Sequence, residues 1–405
     1  MVSAGRRALR AWLLAAPVFL ACSTAPTGGL FRGRAYVDVD LYRRYAEGLL
    51  DGRVPYRDVF VEYPPGAFVA LTPPALVTDD HYRLLFKLSM ALVALGGLWC
   101  VARLLVALDA SPQRLFLALG FISVSPLLLG SVWLNSYDVW PASLTAAALL
   151  ALVSGYVAVA FACLALAFAA KVYAVVLLVP AALYAHARFG SRVVVRGGIA
   201  FLITSALAVG PFIAVSPAGV WSSLRSQLER GLHVESLGAS VLLALDRLGL
   251  YDATVTGGST EAKSRDLAGA APDVLASVSS ALVVGAVFLV WATFARRSRS
   301  SQGLVVASAA GVAAVLAFSK VLSPQYAEWL LFLVPLAAGA SGAVAVFLAA
   351  ASLLLAESWF HHYDRIYAAE DVIWLVLARN LALAACYGAL VWSLLRVAKE
   401  PRATV

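Results

Sequence analysis

The chain has 405 residues, of which 62% are hydrophobic and 13% charged, with a formal net charge of +8. A water-soluble domain is nearer half apolar and a quarter charged, so this composition excludes an ordinary soluble protein and fits a polytopic helical membrane protein. The positive balance rests on 26 arginines against 5 lysines spread over many short turns, which reads as membrane-topology charge rather than a nucleic-acid surface.

In chain order, RRALR (6–10) precedes an apolar run to about residue 25, expected to be an uncleaved first helix although FLAC (19–22) loosely resembles a lipoprotein box. Residues 26–83 read as a long first outer loop with short helices. Its core, 36–66, sets Asp38, Asp40, Glu47, Asp51, Asp58 and Glu62 among five tyrosines and ends on Pro64-Pro65-Gly66. The piece at 67–78 is too short to span and reads as interfacial or re-entrant. Spans are predicted at 84–107 and 115–133, about 20 apolar residues being one bilayer crossing. Residues 138–187 fit three short crossings if Ser154–Tyr156 and Lys171 mark turns, because a lysine at hydrocarbon depth costs several kcal/mol.

A span at 197–216 leads into a second outer loop, 217–276. Trp221, Leu224, Leu228 and Leu232 recur there at helical spacing and predict a surface helix. Spans follow at 277–295, 303–319, 327–340 and 342–356. Residues 357–371 form a third outer loop, and 372–396 span. Cys22, Cys100, Cys163 and Cys386 lie in apolar runs without metal or disulfide spacing and read as small buried hydrophobes. His361, His362 and Asp364 lack a further well-spaced ligand, so no metal is expected.

Alternation puts the N-terminus, 103–114, 188–196, 296–302 and the C-terminus on one side, with 14 Lys/Arg and 2 acids. The other side holds 17 Lys/Arg and 21 acids. The basic side is expected to be cytoplasmic. The parity closes with about 12 crossings in a single integral-membrane domain, 1–405, multi-pass in the cell membrane with both termini inside. Asp138, Lys171 and the loops at 26–83, 217–276, 319–326 and 357–371 then share the outer face.

A group transfer at this face needs a base for an attacking hydroxyl and donors or cations for the leaving group. A carboxylate at a partly desolvated membrane-flanked site suits the first role. Asp58 and Glu62 are candidates to bind sugar hydroxyls or to brace a loop stiffened by Pro55, Pro64 and Pro65. Lys171, Lys320, Arg230 and His233 are candidate phosphate contacts, the lysines also suiting interfacial snorkelling. Asp138 suits substrate binding or helix capping, and Gln325 and Tyr326 suit sugar contact. No Walker loop or dinucleotide turn is present, in keeping with a donor other than a nucleotide sugar.

Three segments together, DVDLYRRYAEGLLDGRVPYRDVFVEYPPGAF (38–68), RGLHVESLGAS (230–240) and SKVLSPQYAEWLLFLVPL (319–336), resemble the glycosyltransferase 87 family. SYDVWPASLTAAALL (136–150) and AAKVYAVVLLVP (169–180) are weaker echoes. That family comprises polyprenyl-phosphate-mannose-dependent mannosyltransferases of the GT-C superfamily. The resemblance implies a GT-C-type fold and an inverting hexosyltransferase without a cofactor. Its partners would be membrane lipid, a polyprenyl-phosphate sugar donor and a glycolipid or glycan acceptor. The implied catalytic aspartate lies just after the first helix, about four residues before a tyrosine. Asp38 before Tyr42 fits, with Asp40 the rival. The chain departs from the family pattern at His233, where a glutamine is expected. A polyprenyl-phosphate transporter and a non-catalytic envelope partner are the competing classes, and arabinosyl or glucosyl transfer is open by the same chemistry.

Overall fold

The computed structural model describes residues 2–25, 38–77, 80–257, 265–297, 299–360, 362–366 and 370–397. Eight of its helices are long and apolar enough to cross a membrane: Tyr82–Ala107, Pro112–Val132, Val172–Phe189, Ser191–Val215, Ala270–Arg297, Ser301–Phe318, Gly339–Phe360 and Ile373–Arg396. Shorter apolar helices cover Val139–Val153 and Val157–Ala170. In chain order the α-helices are α1 (Val2–Thr24), α2 (Asp38–Leu50), α3 (Phe68–Ala75), α4 (Tyr82–Ala107), α5 (Pro112–Leu129), α6 (Val139–Val153), α7 (Val157–Ala170), α8 (Leu178–Phe189), α9 (Ser191–Val215), α10 (Pro217–Leu228), α11 (Leu237–Arg247), α12 (Ala270–Arg297), α13 (Ser301–Phe318), α14 (Glu328–Leu331), α15 (Gly339–Phe360) and α16 (Ile373–Arg396).

The boundaries have local causes. Ser111, Ser236 and Ser300 cap α5, α11 and α13, each hydroxyl accepting a backbone N–H three residues on, and so satisfy amides that a helix start leaves orphaned. Gly155 ends α6 at φ +85°. The Tyr156 amide bonds to the Ala151 carbonyl at 2.8 Å, the left-handed stop that glycine makes cheaply. The chain turns again at Lys171, which is extended (φ −151°, ψ 124°) between α7 and a 3-10 stretch, Val172–Leu177. These are the two turns expected inside 138–187.

At one end of the bundle the basic turns converge. Arg7 donates to the Ala110 carbonyl. Arg114 and Gln302 both donate to the Leu336 carbonyl, at 2.5 and 3.0 Å. Tyr184 and Ser301 hydroxyls meet at 3.0 Å. The opposite end gathers the acidic and aromatic segments. α13 runs through the middle, buried along nearly its whole length; its Ala, Gly and Ser residues let neighbouring backbones approach closely.

Two expectations change. Residues 327–340 do not form a regular helix: the chain passes through 3-10 turns Pro324–Ala327 and Val334–Leu336 with the single turn of α14 between them. Irregular backbone at this depth is tolerated because protein surrounds it, and residues 328–336 are buried throughout. Leu232 does not continue the helix of Trp221, Leu224 and Leu228. It lies in β1 (Leu232–His233), which pairs antiparallel with β3 (Arg265–Ala268), itself paired with β2 (Thr254–Gly257). The helical fold therefore carries a small sheet within the second loop, where only surface helices were expected.

The first loop docks through its Pro-Pro-Gly corner. A Cβ on Gly66 would lie 2.4 Å from the Ala169 backbone carbonyl carbon, so glycine alone permits the loop to reach the end of α7. Gly66→Ala is expected to lower stability by about 1–3 kcal/mol through overpacking, seen as a lower melting temperature of the purified protein in detergent; an unchanged melting temperature would show that the corner yields freely.

Candidate functional site

α6 and α7 have 15 and 14 residues, roughly 22 Å each at 1.5 Å per residue, against roughly 39 Å for the 26-residue α4. Both begin or end at the Ser154–Tyr156 turn. Their other ends, Asp138 and Lys171, therefore stop well short of the far end of α4, recessed in the bundle.

There the two residues pair, Lys171 Nζ to Asp138 Oδ1 at 3.2 Å, with the Asp138 side chain wholly enclosed. Asp138 also accepts from Trp329 Nε1 at 2.6 Å and from the Ser136 hydroxyl at 2.7 Å. The ammonium lies 4.9 to 5.9 Å from the ring centres of Tyr137, Tyr326, Tyr63 and Trp329. Cation–π contact of this kind contributes about 2 kcal/mol per site when desolvated. The rings hold one another: Trp329 stacks between Tyr173 at 4.1 Å and Tyr326 at 4.3 Å. Tyr42, Tyr63 and Tyr137 form a triangle of edge contacts at 5.2 to 5.6 Å.

Asp38 joins this cage through Tyr63, whose hydroxyl donates to Asp38 Oδ2 at 3.1 Å while its ring faces Lys171. Asp38 is the half-buried first residue of α2. Its rival Asp40 points elsewhere and is bound by Arg83 at 2.8 Å, tying α2 to α4. Asp58 is also outside the cage. Arg57 and the Val54 amide hold its carboxyl down at about 2, and it closes the 54–58 turn. Glu62 lies beside Tyr45, whose hydroxyl bonds to the Glu62 backbone.

Gln325 is buried at the edge of the cage segment with its carbonyl oxygen unbonded. Lys320 is directed away, capping α10 through a 2.8 Å bond to the Leu228 carbonyl, and Arg230 contacts Gln227 at 3.4 Å. Neither lysine snorkels in the way its sequence setting suggested: Lys171 is 8% exposed, and Lys320 is committed to a helix end.

His233 lies in β1 of the second loop. It is buried, its Nδ1 accepts the Glu235 amide at 3.4 Å, and burial, with Arg230 and Arg379 nearby, drives its pKa down to about 3. A neutral imidazole would meet a phosphate as a hydrogen-bond donor rather than as a cation. Of the His361, His362 and Asp364 group, His361 and the Asp364 side chain fall outside the described residues.

The sequence reading missed three features. Tyr63, Tyr137 and Trp329 form the cage walls; their signal was that each stands within two positions of a Pro-Pro corner, an aspartate or a glutamate. Glu328 is fully buried beside the pair, and neither carboxyl oxygen has a well-formed partner, although the Val139 amide faces it. Glu235 is buried 3.5 Å from Arg379, its backbone carbonyl taking bonds from Arg379 and Asn380. Burial pushes the Glu235 carboxyl up to about 7, further than the guanidinium pulls it down.

The fold defines a helical protein with, among the described residues, eight helices long and apolar enough to cross a membrane and a recessed, charged, aromatic-lined cluster at one end. No family model matches the chain, and no curated protein matches it.

Two measurements check the site. Lys171→Met leaves Asp138 buried without its cation and is expected to cost about 3–5 kcal/mol, much of it recovered by adding Asp138→Asn; additive losses in the double variant would deny the coupling. His233 and Glu235 oppose each other in pH. His233 is held below its ordinary 6.5, so its contribution is complete above pH 6.5 and is lost as pH falls toward 3. Glu235 is held above its ordinary 4.5, so its contribution is complete below 4.5 and is lost as pH rises toward 7. Between pH 7.5 and 5, His233→Gln is expected to gain stability on acidification relative to the parent. Glu235→Gln is expected to lose it, each by on the order of 1–2 kcal/mol. Parallel melting curves for all three proteins would refute this.

Proposed function

We propose that the chain is a membrane glycosyltransferase of the glycosyltransferase 87 type, moving a hexose, mannose in the first instance, from a polyprenyl-phosphate donor to a lipid or glycan acceptor. The reading places about 12 crossings in the cell membrane, both termini in the cytoplasm and the Asp38 end outside. The 12 are made by α1, the eight long spans, α6, α7 and the broken 319–338 segment. The observation that carries the reading is the link from Asp38 through the Tyr63 hydroxyl to the Lys171 cage. It joins a half-buried carboxylate to a desolvated, aromatic-walled ammonium, and supports a general base set beside rings of the kind a sugar stacks on.

In the proposed reaction Asp38 takes the proton of the acceptor hydroxyl. The oxygen attacks the anomeric carbon from the face opposite the phosphate. The bonding electrons of the glycosidic C–O bond leave with the polyprenyl phosphate, and the configuration inverts. Lys171 is neutralised by Asp138 at 3.2 Å, so its role is to position Tyr63 and hence Asp38. Phosphate stabilisation then falls to Arg230.

A second reading has one observation in its favour. A buried ion pair deep in a helical bundle is also what a polyprenyl-phosphate transporter would carry, and Asp138–Lys171 is such a pair.

Purified Asp38→Asn protein, assayed with radiolabelled polyprenyl-phosphate-mannose and native lipid extract, is expected to fold and to transfer at least about a hundredfold more slowly. Near-normal turnover would remove Asp38 from the mechanism. Absence of product with the parent protein across polyprenyl-phosphate sugars, together with movement of the lipid between leaflets, would favour the transporter.

A further inference from the structure

α10 presents two opposed faces. Trp221, Leu224 and Leu228 recur at helical spacing and are 60%, 42% and 63% exposed. On the other side, roughly 100–180° around the helix at 100° per residue, Gly219 and Ser223 touch the first loop. The Ser223 hydroxyl donates to the Val61 carbonyl at 2.6 Å. A Cβ on Gly219 would lie 1.9 Å from the Tyr56 carbonyl oxygen. The helix is pinned at its far end by Lys320, which donates to the Leu228 carbonyl.

What covers the apolar face follows from where the helix begins. α9 is 25 residues, roughly 37 Å, with Gly197 its one buried residue. Leu202, Ile203, Leu207, Ile213 and Val215 are exposed to its very end. A single residue, Ser216, breaks the helix, and Pro217 starts α10. α9 packs on α7 along one side and leaves its other side exposed from end to end, as a lipid-facing span does, so α10 starts at the level where the chain leaves the hydrocarbon. A tryptophan beside leucines at that level suits the headgroup boundary.

We propose that α10 is a lipid-anchored strap: its Trp221–Leu224–Leu228 face lies in the membrane interface while its Gly219–Ser223 face clamps the Tyr56–Val61 stretch of the loop that carries Asp38. The bilayer surface is thereby a structural partner of the candidate site. The anchoring rests on the membrane reading of the fold, and only its relevance to Asp38 rests on the proposed reaction.

The test uses the full chain in phosphatidylcholine–phosphatidylglycerol nanodiscs, with Cys22, Cys100, Cys163 and Cys386 replaced. A bimane probe is placed at Leu224→Cys or, on the flank between the two faces, at Ser222→Cys. Quenching by lipid carrying a nitroxide near the headgroup is expected to be strong at 224 and weak at 222. Equal quenching of both by an aqueous reagent would overturn the anchoring. So would protection of 224 from both reagents, which would mean a protein partner or a second copy. For the clamp, deuterium uptake of residues 54–63 is compared in the parent, in Trp221→Gln/Leu224→Gln/Leu228→Gln, and in Gly219→Ala. Both variants are expected to exchange about tenfold faster there, with uptake in α13 unchanged. Parental uptake in both would overturn the clamp. Neither readout uses sugar transfer, so a failed transfer assay and a failed strap are told apart.

Discussion

The buried pair of Asp138 and Lys171 is the constraint on which the rest of this end of the molecule depends. Two charges cannot leave water without large compensation, and each part of the local architecture offsets some of that cost. α6 starts at Asp138 and α7 ends at Lys171, so the anion lies at a positive helix end and the cation at a negative one. Trp329 and Ser136 occupy the remaining lone pairs of the carboxylate. The four rings take the sides of the ammonium where water would stand. The shortness of α6 and α7 follows from the same need: helices of full bilayer length would carry both residues to the surface and dissolve the pair.

The pair also explains why the 319–338 segment is broken. A regular helix there would place Tyr326 and Trp329 on one stripe with the following leucines. The 3-10 turn at Pro324–Ala327 instead lets both rings stack over Lys171 while Glu328 enters the interior. Two carboxyl groups then share one cation. Glu328 at the start of α14 has a helix N-terminus beside it but no well-formed donor, so its charged form is costly in that setting. The local balance is one cation, one firmly bound carboxylate and one acid with little to hold its charge. That balance is why Lys171 does not have a free charge for a phosphate.

The long helices were legible in the sequence because about 20 apolar residues have one economical arrangement in lipid. The turns at Gly155 and Lys171 were legible because glycine stops helices and lysine resists burial. The partner of Lys171 was not legible. The pairing joins positions 33 residues apart through an intervening hairpin of helices, and either end alone also suits a cap or an interfacial charge. The sheet of β1, β2 and β3 was hidden for a different reason: strands of two to four residues are too short to show alternation. The burial of His233 was not legible because RGLHVES mixes charged and apolar residues with no clear period. Its burial comes from the second loop folding against Lys320 and α16, with the His233 amide donating to the Lys320 carbonyl at 2.9 Å.

The six acids of the first loop separate on the same logic. On the proposed function the base is the acid that reaches the Lys171 cage. Glu47 is bound by Arg43 at 2.5 Å, Asp51 by Arg53 at 3.3 Å, and Asp40 and Asp58 by Arg83 and Arg57. Each of these four carboxylates is tied to a neighbouring guanidinium on the loop surface. Glu62 lies on the Tyr45 side of the loop, away from the ammonium. Asp38 is joined to the recess by a phenol that is itself a wall of the cage. A tyrosine held by Tyr42, Tyr137 and Lys171 gives that carboxylate a fixed orientation. What sets Asp38 apart from the other five acids in the structure lies two steps away, in the cation that fixes the ring that holds it.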